Sequence, residues 1–434
     1  MSRPHLVQPL TRPPDATIVV PGSKSITNRA LACAALASGA TTLHGPGRSD
    51  DSEAMVECIE RLGADVRWDA ETGDLLVVGT AGALRPGPME LETRLAGTTS
   101  RFVTALAALG RGRYRVDGQP ALRARPMGGL HDALVSLGAG ITPEGEWGHL
   151  PVVVEASGLA GGRVTMAGDV SSQFVTALML AAPAAAAGVE IELTTTLVSR
   201  PYVAITAAVM AAFGVSEVEV GERLVRVAPA RYRRADYTVE PDASSATYLW
   251  AAAALTGGRV TVPGFWPAPL QGDVAFVDLL ARMGATVERS AAGITVAGTG
   301  QLQGLDVDMA DWSDTVPTLA AVAAFADSPT CIRGVGFIRA KETDRIGSLV
   351  AELRRCGVDA EEESDGLVIR PQPDAVRGAR VRTYQDHRMA MALALLGLRV
   401  PGVEIEDPDV VAKSFPGYWS ALGALAGPAN VQDP

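Results

Sequence analysis

The chain has 434 residues, with 38 Lys+Arg against 49 Asp+Glu and a formal net charge of −11. So acidic a balance speaks against nucleic acid or an anionic membrane as general partner, since both call for a basic surface. With 47% hydrophobic and 20% charged residues, wholesale disorder is excluded, and the length alone suggests about three cores at ~150 residues each.

The first segment, MSRPHLVQPLTRPPD, carries Pro and Arg where a secretory leader needs an apolar run. No window reaches ~18 uninterrupted apolar residues. These features predict a soluble, cytoplasmic protein. ATIVV (16–20) reads as a strand, and Pro21-Gly22 breaks it. Next comes the first of six Ser/Thr/Asp-rich starts leading into Ala/Leu-rich helices. They are GSKSITNRALACAAL (22–36), AGTTSRFVTALAAL (96–109), VSSQFVTALMLAA (170–182), PDASSATYLWAAAAL (241–255), WSDTVPTLAAVAAF (312–325) and QDHRMAMALALLGL (385–398). Ser, Thr, Asp and Asn are the N-cap residues, so their clustering marks helix starts.

A β-rich segment follows each of these helices: GATTLHG, GRYRVDG, GVEIELT, GGRVTVPG, PTCIRGVG and GVEIEDP. Then come a polar loop and a second helix ending in an apolar residue, Gly and a small residue. That marker stands at Leu62-Gly63-Ala64, Leu137-Gly138-Ala139, Phe213-Gly214-Val215, Met283-Gly284-Ala285, Cys356-Gly357-Val358 and Leu422-Gly423-Ala424. Gly suits the C′ position, where φ > 0 ends a helix. Alternating runs after the first five markers, such as ADVRWD and ATVERS, predict β-hairpins. The repeat is therefore βαβαββ, and the sixth copy lacks its hairpin. The strand-like N-terminal residues 5–20 are expected to complete it. Six units of this size fit two three-unit domains better than a solenoid, for which no polar capping repeats are evident. The predicted division is 1–20 plus 241–434 for one domain and 21–240 for the other, an α/β (α+β) chain overall.

The helix starts are alike in structure and unlike in chemistry. The first carries Lys24, Ser25, Asn28 and Arg29, the second Gly97, Thr98, Thr99 and Arg101, and the third Ser171, Ser172 and Gln173. The fifth carries Asp314, and the sixth Asp386, His387 and Arg388. Lys and Arg in a first helical turn oppose the helix dipole, which costs stability unless an anion compensates. The polar loops add Arg125, Ser199, Lys341, Glu342, Arg345 and Lys413 at equivalent places in the repeat. The register predicts an anion-binding site between two domains, lined by Lys24, Arg29, Arg125, Arg345, Arg388 and Lys413. Arg forks suit phosphate and carboxylate. Asp314 and Glu342 are the candidates for acid–base chemistry. There is no P-loop, no dinucleotide fingerprint, no HExxH and no GxSxG. The isolated Cys33, Cys58, Cys331 and Cys356 read as reduced thiols.

Taken together, PGSKSITNRA, LAGTTSRF, LRARPM, SSQF with VSRPY, KETDR, DHRMAMA and KSFPGYW resemble the 3-phosphoshikimate 1-carboxyvinyltransferase family, also called 5-enolpyruvylshikimate-3-phosphate synthases, over residues 21 to 419. The resemblance implies two domains of three βαβαββ units each, inverse α/β barrel-like, with the active site in the interdomain cleft. It implies enolpyruvyl transfer from phosphoenolpyruvate to the 5-hydroxyl of shikimate 3-phosphate, through a tetrahedral adduct, with no metal or organic cofactor, in a monomer. By position, Lys24, Ser25, Arg29, Ser171, Ser172, Gln173, Ser199, Asp314 and Lys341 would bind shikimate 3-phosphate. Lys24, Gly97, Arg125, Gln173, Arg345, Arg388 and Lys413 would bind phosphoenolpyruvate. Asp314 would accept the hydroxyl proton and Glu342 would donate to C3, with Lys24 also within reach of the chemistry.

Three positions depart from many relatives: Leu95 and Phe337 stand where Asn is common, and Phe102 where Pro is. The first two motif changes, at Leu95 and Phe102, bear on sensitivity to glyphosate-type analogues. The change at Phe337 bears on the contact with the shikimate phosphate. The sister transferase acting on UDP-N-acetylglucosamine usually has a Cys in the loop that here reads DGQPALRARPM. A paralogue acting on a related acceptor in specialised metabolism is a second alternative. A non-catalytic anion-binding protein would have lost Asp314 or Glu342.

Overall fold

The computed structural model describes residues 3–265 and 267–427. The chain divides into two compact units, one of residues up to Pro21 with those from Pro241 onward, the other Gly22–Glu240. Each has its own apolar core. The chain ends of each unit are tied internally: Ser23 N donates to Glu240 O at 2.7 Å in one, and Asp242 N to Pro21 O at 2.8 Å in the other.

The six Ala-rich segments form helices at Lys24–Leu36, Gly97–Ala108, Ser172–Ala181, Ala243–Thr256, Val316–Ala323 and His387–Gly397. In each unit the three pack against one another. They are enclosed on all sides: every residue from Ile26 to Leu36 and from Ala243 to Leu255 is buried. A helix with no solvent face must be apolar all round, and alanine lets the axes approach. Buried threonines bond back to their own helix, Thr104 Oγ1 to Ser100 O at 2.7 Å and Thr247 Oγ1 to Ser244 O at 2.6 Å.

The second helices have one apolar stripe instead. In Asp50–Arg61, Met55, Cys58 and Ile59 are buried while Asp50, Glu57 and Glu60 face water. Five markers end their helices as expected, with φ of 114° at Gly63, 102° at Gly138, 84° at Gly214, 112° at Gly284 and 84° at Gly357. The sixth differs. Gly423 lies inside the helix Tyr418–Ala424, and the left-handed residue is Gly427. Among the described residues no hairpin follows there, so nothing in them demands an earlier stop.

Among the described residues, the strands form five four-stranded sheets and one three-stranded sheet. In the first repeat, Ala40–His44 runs parallel to Asp236–Thr238 and antiparallel to Leu75–Val78, which pairs with Asp65–Trp68. That repeat borrows its outer strand from the far end of its unit. In the other unit, Asp15–Thr17 pairs with Arg259–Val262 in the fourth repeat, so of the expected strand ATIVV only Ala16 and Thr17 pair. His5–Leu6 is the strand that completes the sixth sheet, antiparallel to Glu404–Ile405. The N-terminal segment thus serves two repeats rather than the sixth alone.

The sheets are open, and among the described residues none closes into a barrel. Four short strands are too few for closure, which typically takes about eight. Outer faces carry Arg–Glu pairs such as Arg115 with Glu90 and Glu144. Exposed pairs of this kind contribute ~0–1 kcal/mol each. Register is set by the inward Val and Leu residues, because a one-residue slip would turn them all to solvent. No helix among the described residues is long and apolar enough to cross a membrane.

Candidate active site

In Gly22–Glu240, the candidates stand at helix starts. Ser23 caps Lys24–Leu36 by accepting from Ile26 N, which puts Lys24 at its first position. Lys24 Nζ pairs with the buried Asp51 Oδ2 at 2.9 Å. The anion that offsets a lysine on a positive helix end is thus, in this structure, a protein carboxylate.

Arg29, on the same helix, is 2% exposed. It donates to Thr206 Oγ1 (2.8 Å), Ser25 O (2.8 Å), Thr176 Oγ1 (3.3 Å) and Tyr202 O (3.2 Å). Burial, partly offset by Tyr202 and Cys33, brings its pKa down to about 10. It remains a cation whose first task is to tie three helices.

Gly97 opens the helix Gly97–Ala108 directly against Arg125. A Cβ at Gly97 would lie 2.4 Å from Arg125 Nη1 and 2.9 Å from Cζ. Only a residue without a side chain leaves the buried guanidinium its seat. Arg101 braces the same loop, donating to Gly97 O at 3.2 Å and Pro126 O at 2.8 Å. Ser171 caps Ser172–Ala181 by accepting from Gln173 N at 3.3 Å. Gln173 Nε2 reaches Thr98 Oγ1 at 3.4 Å, while its buried Oε1 has no hydrogen-bond partner among the described residues. Ser199, 4% exposed, holds φ of 53° before Arg200–Ala212. A serine in the left-handed region stores strain of order 1–3 kcal/mol, a feature that gathers at functional sites.

The other unit carries a lattice of carboxylates and guanidiniums. Asp344 caps Arg345–Arg355, accepting from Ile346 N and Gly347 N, so KETDR is a loop entering a helix at its arginine. Arg345 is 1% exposed. Its Nε meets Asp386 Oδ2 at 2.7 Å, Nη1 meets Asp314 Oδ1 at 2.9 Å, and Nη2 meets Glu342 Oε2 at 2.7 Å. Burial lowers its proton affinity, but Asp386, Glu342 and Asp314 together raise it further, so it stays charged. Arg388 Nη2 bonds the other oxygen of Asp314, at 2.7 Å, and Lys413 Nζ stands 3.7 Å from Glu342 Oε1. Asp314 lies in the turn Ser313–Thr315, and Lys413 ends the turn Pro408–Lys413. Lys341 Nζ stands over the Phe337 ring at 5.9 Å. Among the described residues, no group of three or more His, Cys, Asp or Glu could hold a metal ion.

A family model described as EPSP synthase (3-phosphoshikimate 1-carboxyvinyltransferase) matches residues 11–422. Over 412 residues the chain is 46% identical to the 3-phosphoshikimate 1-carboxyvinyltransferase of Nostoc punctiforme, covering 95% of this chain and 96% of that one. The chain belongs to the EPSP synthase family. The Trichormus variabilis member is 45% identical over 419 residues, 96% of this chain and 98% of its own. The solved EPSP synthase of Acinetobacter baumannii superposes with a TM-score of 0.81 at 24% identity, over 98% of both chains, and shares the fold. The reaction of this family member is enolpyruvyl transfer from phosphoenolpyruvate to shikimate 3-phosphate in the shikimate pathway, and the other acceptors are not favoured.

Two departures from the EPSP synthase pattern now have physical accounts. Phe102 is fully buried, with its ring centroid 5.5 Å from the Arg29 guanidinium carbon. It contributes cation–π contact and fills core volume. Phe337 offers Lys341 an aromatic face where an amide would offer hydrogen bonds. Leu95 packs against the core of its unit. Sequence reasoning assigned no role to Asp51 or to Asp386 as the partner of Arg345. Both sit at helix starts (Ser-Asp-Asp and Gln-Asp-His), where an acid reads as a cap.

Proposed function

We propose a division of labour between the two units, taken as two domains of a monomeric, cytoplasmic enzyme. Ser25, Arg29, Ser171, Ser172, Gln173 and Ser199 hold shikimate 3-phosphate, with Lys341 on its phosphate. Four of the five Arg29 N–H groups are bound within the protein, and among the described residues one N–H of Nη1 is left for this. Gly97, Arg125, Arg345, Arg388 and Lys413 hold phosphoenolpyruvate, and Lys24 and Gln173 serve both substrates.

The observation carrying this reading is the pairing of Asp314 and Glu342 with one guanidinium, Arg345, at 2.9 and 2.7 Å. Asp314 is also bound by Arg388, and cations on both its oxygens favour the anion that can accept a proton. Glu342 has to deliver one. An anionic substrate group arriving at Arg345 and Lys413 competes for the cations that hold Glu342 ionised, which raises its proton affinity. In the addition step the 5-hydroxyl oxygen bonds to C2, its proton passes to Asp314, and C3 takes a proton from Glu342. In the elimination step C3 gives up a proton to Glu342 as the C2–O bond to phosphate breaks, and the hydroxyl proton held by Asp314 leaves with the phosphate or to solvent, which restores both carboxyl groups. Orientation of two bound reactants contributes up to about 7–11 kcal/mol.

The test is phosphate release from phosphoenolpyruvate with shikimate 3-phosphate or UDP-N-acetylglucosamine as acceptor, in chelator-treated buffer. Release with shikimate 3-phosphate alone is expected. Release with neither, from folded protein, would overturn the assignment.

A further inference from the structure

A third carboxylate sits behind the Asp314–Arg388 pair. Asp273 lies in the turn Gly272–Ala275 and is 3% exposed. Ser244 Oγ, in the first turn of Ala243–Thr256, donates a short hydrogen bond to Asp273 Oδ2. The same Oγ faces Arg388 Nη2 at 3.4 Å, and Nη2 bonds Asp314 Oδ2 at 2.7 Å. A serine hydroxyl has one proton and two lone pairs. Giving the proton to Asp273 leaves a lone pair for Arg388, so the chain runs carboxylate, hydroxyl, guanidinium, carboxylate.

The turn is fastened to the helix. Gln271 Oε1 accepts from Ala243 N at 3.0 Å, and its Nε2 donates to Pro241 O at 2.6 Å. Asp242 caps the helix, accepting from Ser245 N at 2.7 Å. Burying a charge here is costly unless hydrogen bonds and nearby charge compensate it.

We propose that Asp273 is a positioning residue for enolpyruvyl transfer: through Ser244 it seats Arg388, and its negative charge keeps Asp314 a competent proton acceptor. This rests on the reading of Asp314 as the acceptor and of Arg388 as a phosphoenolpyruvate ligand. The charged groups facing Asp273 include Asp314 and Asp242, both repelling its charge, and Arg388, which attracts it. Burial, then Asp314, raise its pKa to about 6, against the lowering effect of the Ser244 hydrogen bond and Arg388. Such coupling is mutual, so ionised Asp273 raises the proton affinity of Asp314. Below about pH 6 that support is withdrawn.

Two substitutions separate charge from geometry. Asp273→Asn still accepts from Ser244 but has no charge. Its kcat is expected to fall about tenfold, with the KM for phosphoenolpyruvate within roughly threefold. Its acidic limb of kcat moves to lower pH, because the group that protonates is gone. Ser244→Ala removes the hydrogen bond that favours ionised Asp273, so its acidic limb moves to higher pH. It also raises the KM for phosphoenolpyruvate, since Arg388 loses a contact.

Opposite displacements of the limb support the proposal. A role in packing alone would not produce them, and the substrates' own ionisations are common to all forms. Folded variants whose limbs do not move, or move together, would overturn it. If Asp273→Asn does not fold, the direction of the Ser244→Ala limb decides alone. Wild-type turnover with shikimate 3-phosphate keeps the underlying reaction in place even where unmoved limbs remove this proposal.

Discussion

Gly97 and Arg125 show how a motif glycine acts through its neighbour. A methyl group 2.4 Å from Nη1 cannot be accommodated, so the guanidinium has to move. Gly97→Ala is expected to raise the KM for phosphoenolpyruvate at least about tenfold, the order of one displaced charged hydrogen bond. The KM for shikimate 3-phosphate should change little. Steady-state kinetics with each substrate varied in turn measures the split, and equal effects on both would refute it. Glu342→Gln keeps shape and loses the transferable proton. Its kcat should fall at least ~100-fold with both substrates still bound by calorimetry; near-normal turnover would remove Glu342 from the chemistry. The cations proposed to bind substrate were legible because Lys24 and Arg388 stand at helix starts, where they oppose the dipole and so draw notice, and Arg345 lies in a polar loop at a repeat-equivalent place. The carboxylates Asp51 and Asp386 that pair with Lys24 and Arg345, and Asp273 behind Ser244, were not. An acid at a helix start is favourable in its own right, so nothing in the string of letters separates a cap from a buried counter-ion.

At the scale of elements, the inner helices were readable because complete burial forces a uniform alanine-rich composition. Hairpins were readable from glycines that must adopt φ > 0. Where neither constraint operates, the reading slipped. Gly423 has the marker's neighbours but no hairpin to enforce the turn. The N-terminal segment was assigned to the sixth repeat alone, and His5–Leu6 does complete it, but Asp15–Thr17, too short to show a period, joins the fourth. One junction among strands carries a pH signature. His44, ending Ala40–His44, has Nδ1 2.7 Å from Asp74 Oδ2 and Nε2 2.5 Å from Asp236 Oδ1. Both ring nitrogens face carboxylates, so the imidazolium is favoured. Hydrogen bonds donated to Asp74, then to Asp236, raise its pKa above the usual 6.5. A raised folded-state value means the stabilisation is fully present below pH 6.5 and is lost as pH rises through that higher value. Thermal melts of His44→Gln against wild type should therefore differ most below pH 6.5 and converge at alkaline pH. A difference that grows with pH would contradict the linkage.

The whole chain is wound so that one unit is continuous in sequence and the other is not. Gly22–Glu240 contains all the strands of its three sheets, including Asp236–Thr238, which returns to complete the first. The other unit is assembled from both ends of the chain. Without residues up to Pro21, the fourth sheet loses Asp15–Thr17 and the sixth loses His5–Leu6. Its core loses Val7, Ile18 and Val20, each no more than 7% exposed. Val7 also lies where Gly397 leaves room, a Cβ there being 2.5 Å from Val7 Cβ, so an unfilled space would remain beside a buried helix. Removing three such side chains from a core costs several kcal/mol at about 1.5–3 kcal/mol each, comparable with the whole stability of a typical unit. A fragment of residues 22–240 is therefore expected to unfold cooperatively on its own, whereas 241–434 alone should lack a sharp transition. Adding a peptide of residues 3–21 should restore one, with a midpoint that rises with peptide concentration, as mass action requires. Calorimetric scans of the two fragments, with and without peptide, measure this. A cooperative 241–434 indifferent to the peptide would mean that the N-terminal strands contribute little, and that the second unit folds on its contiguous sequence alone.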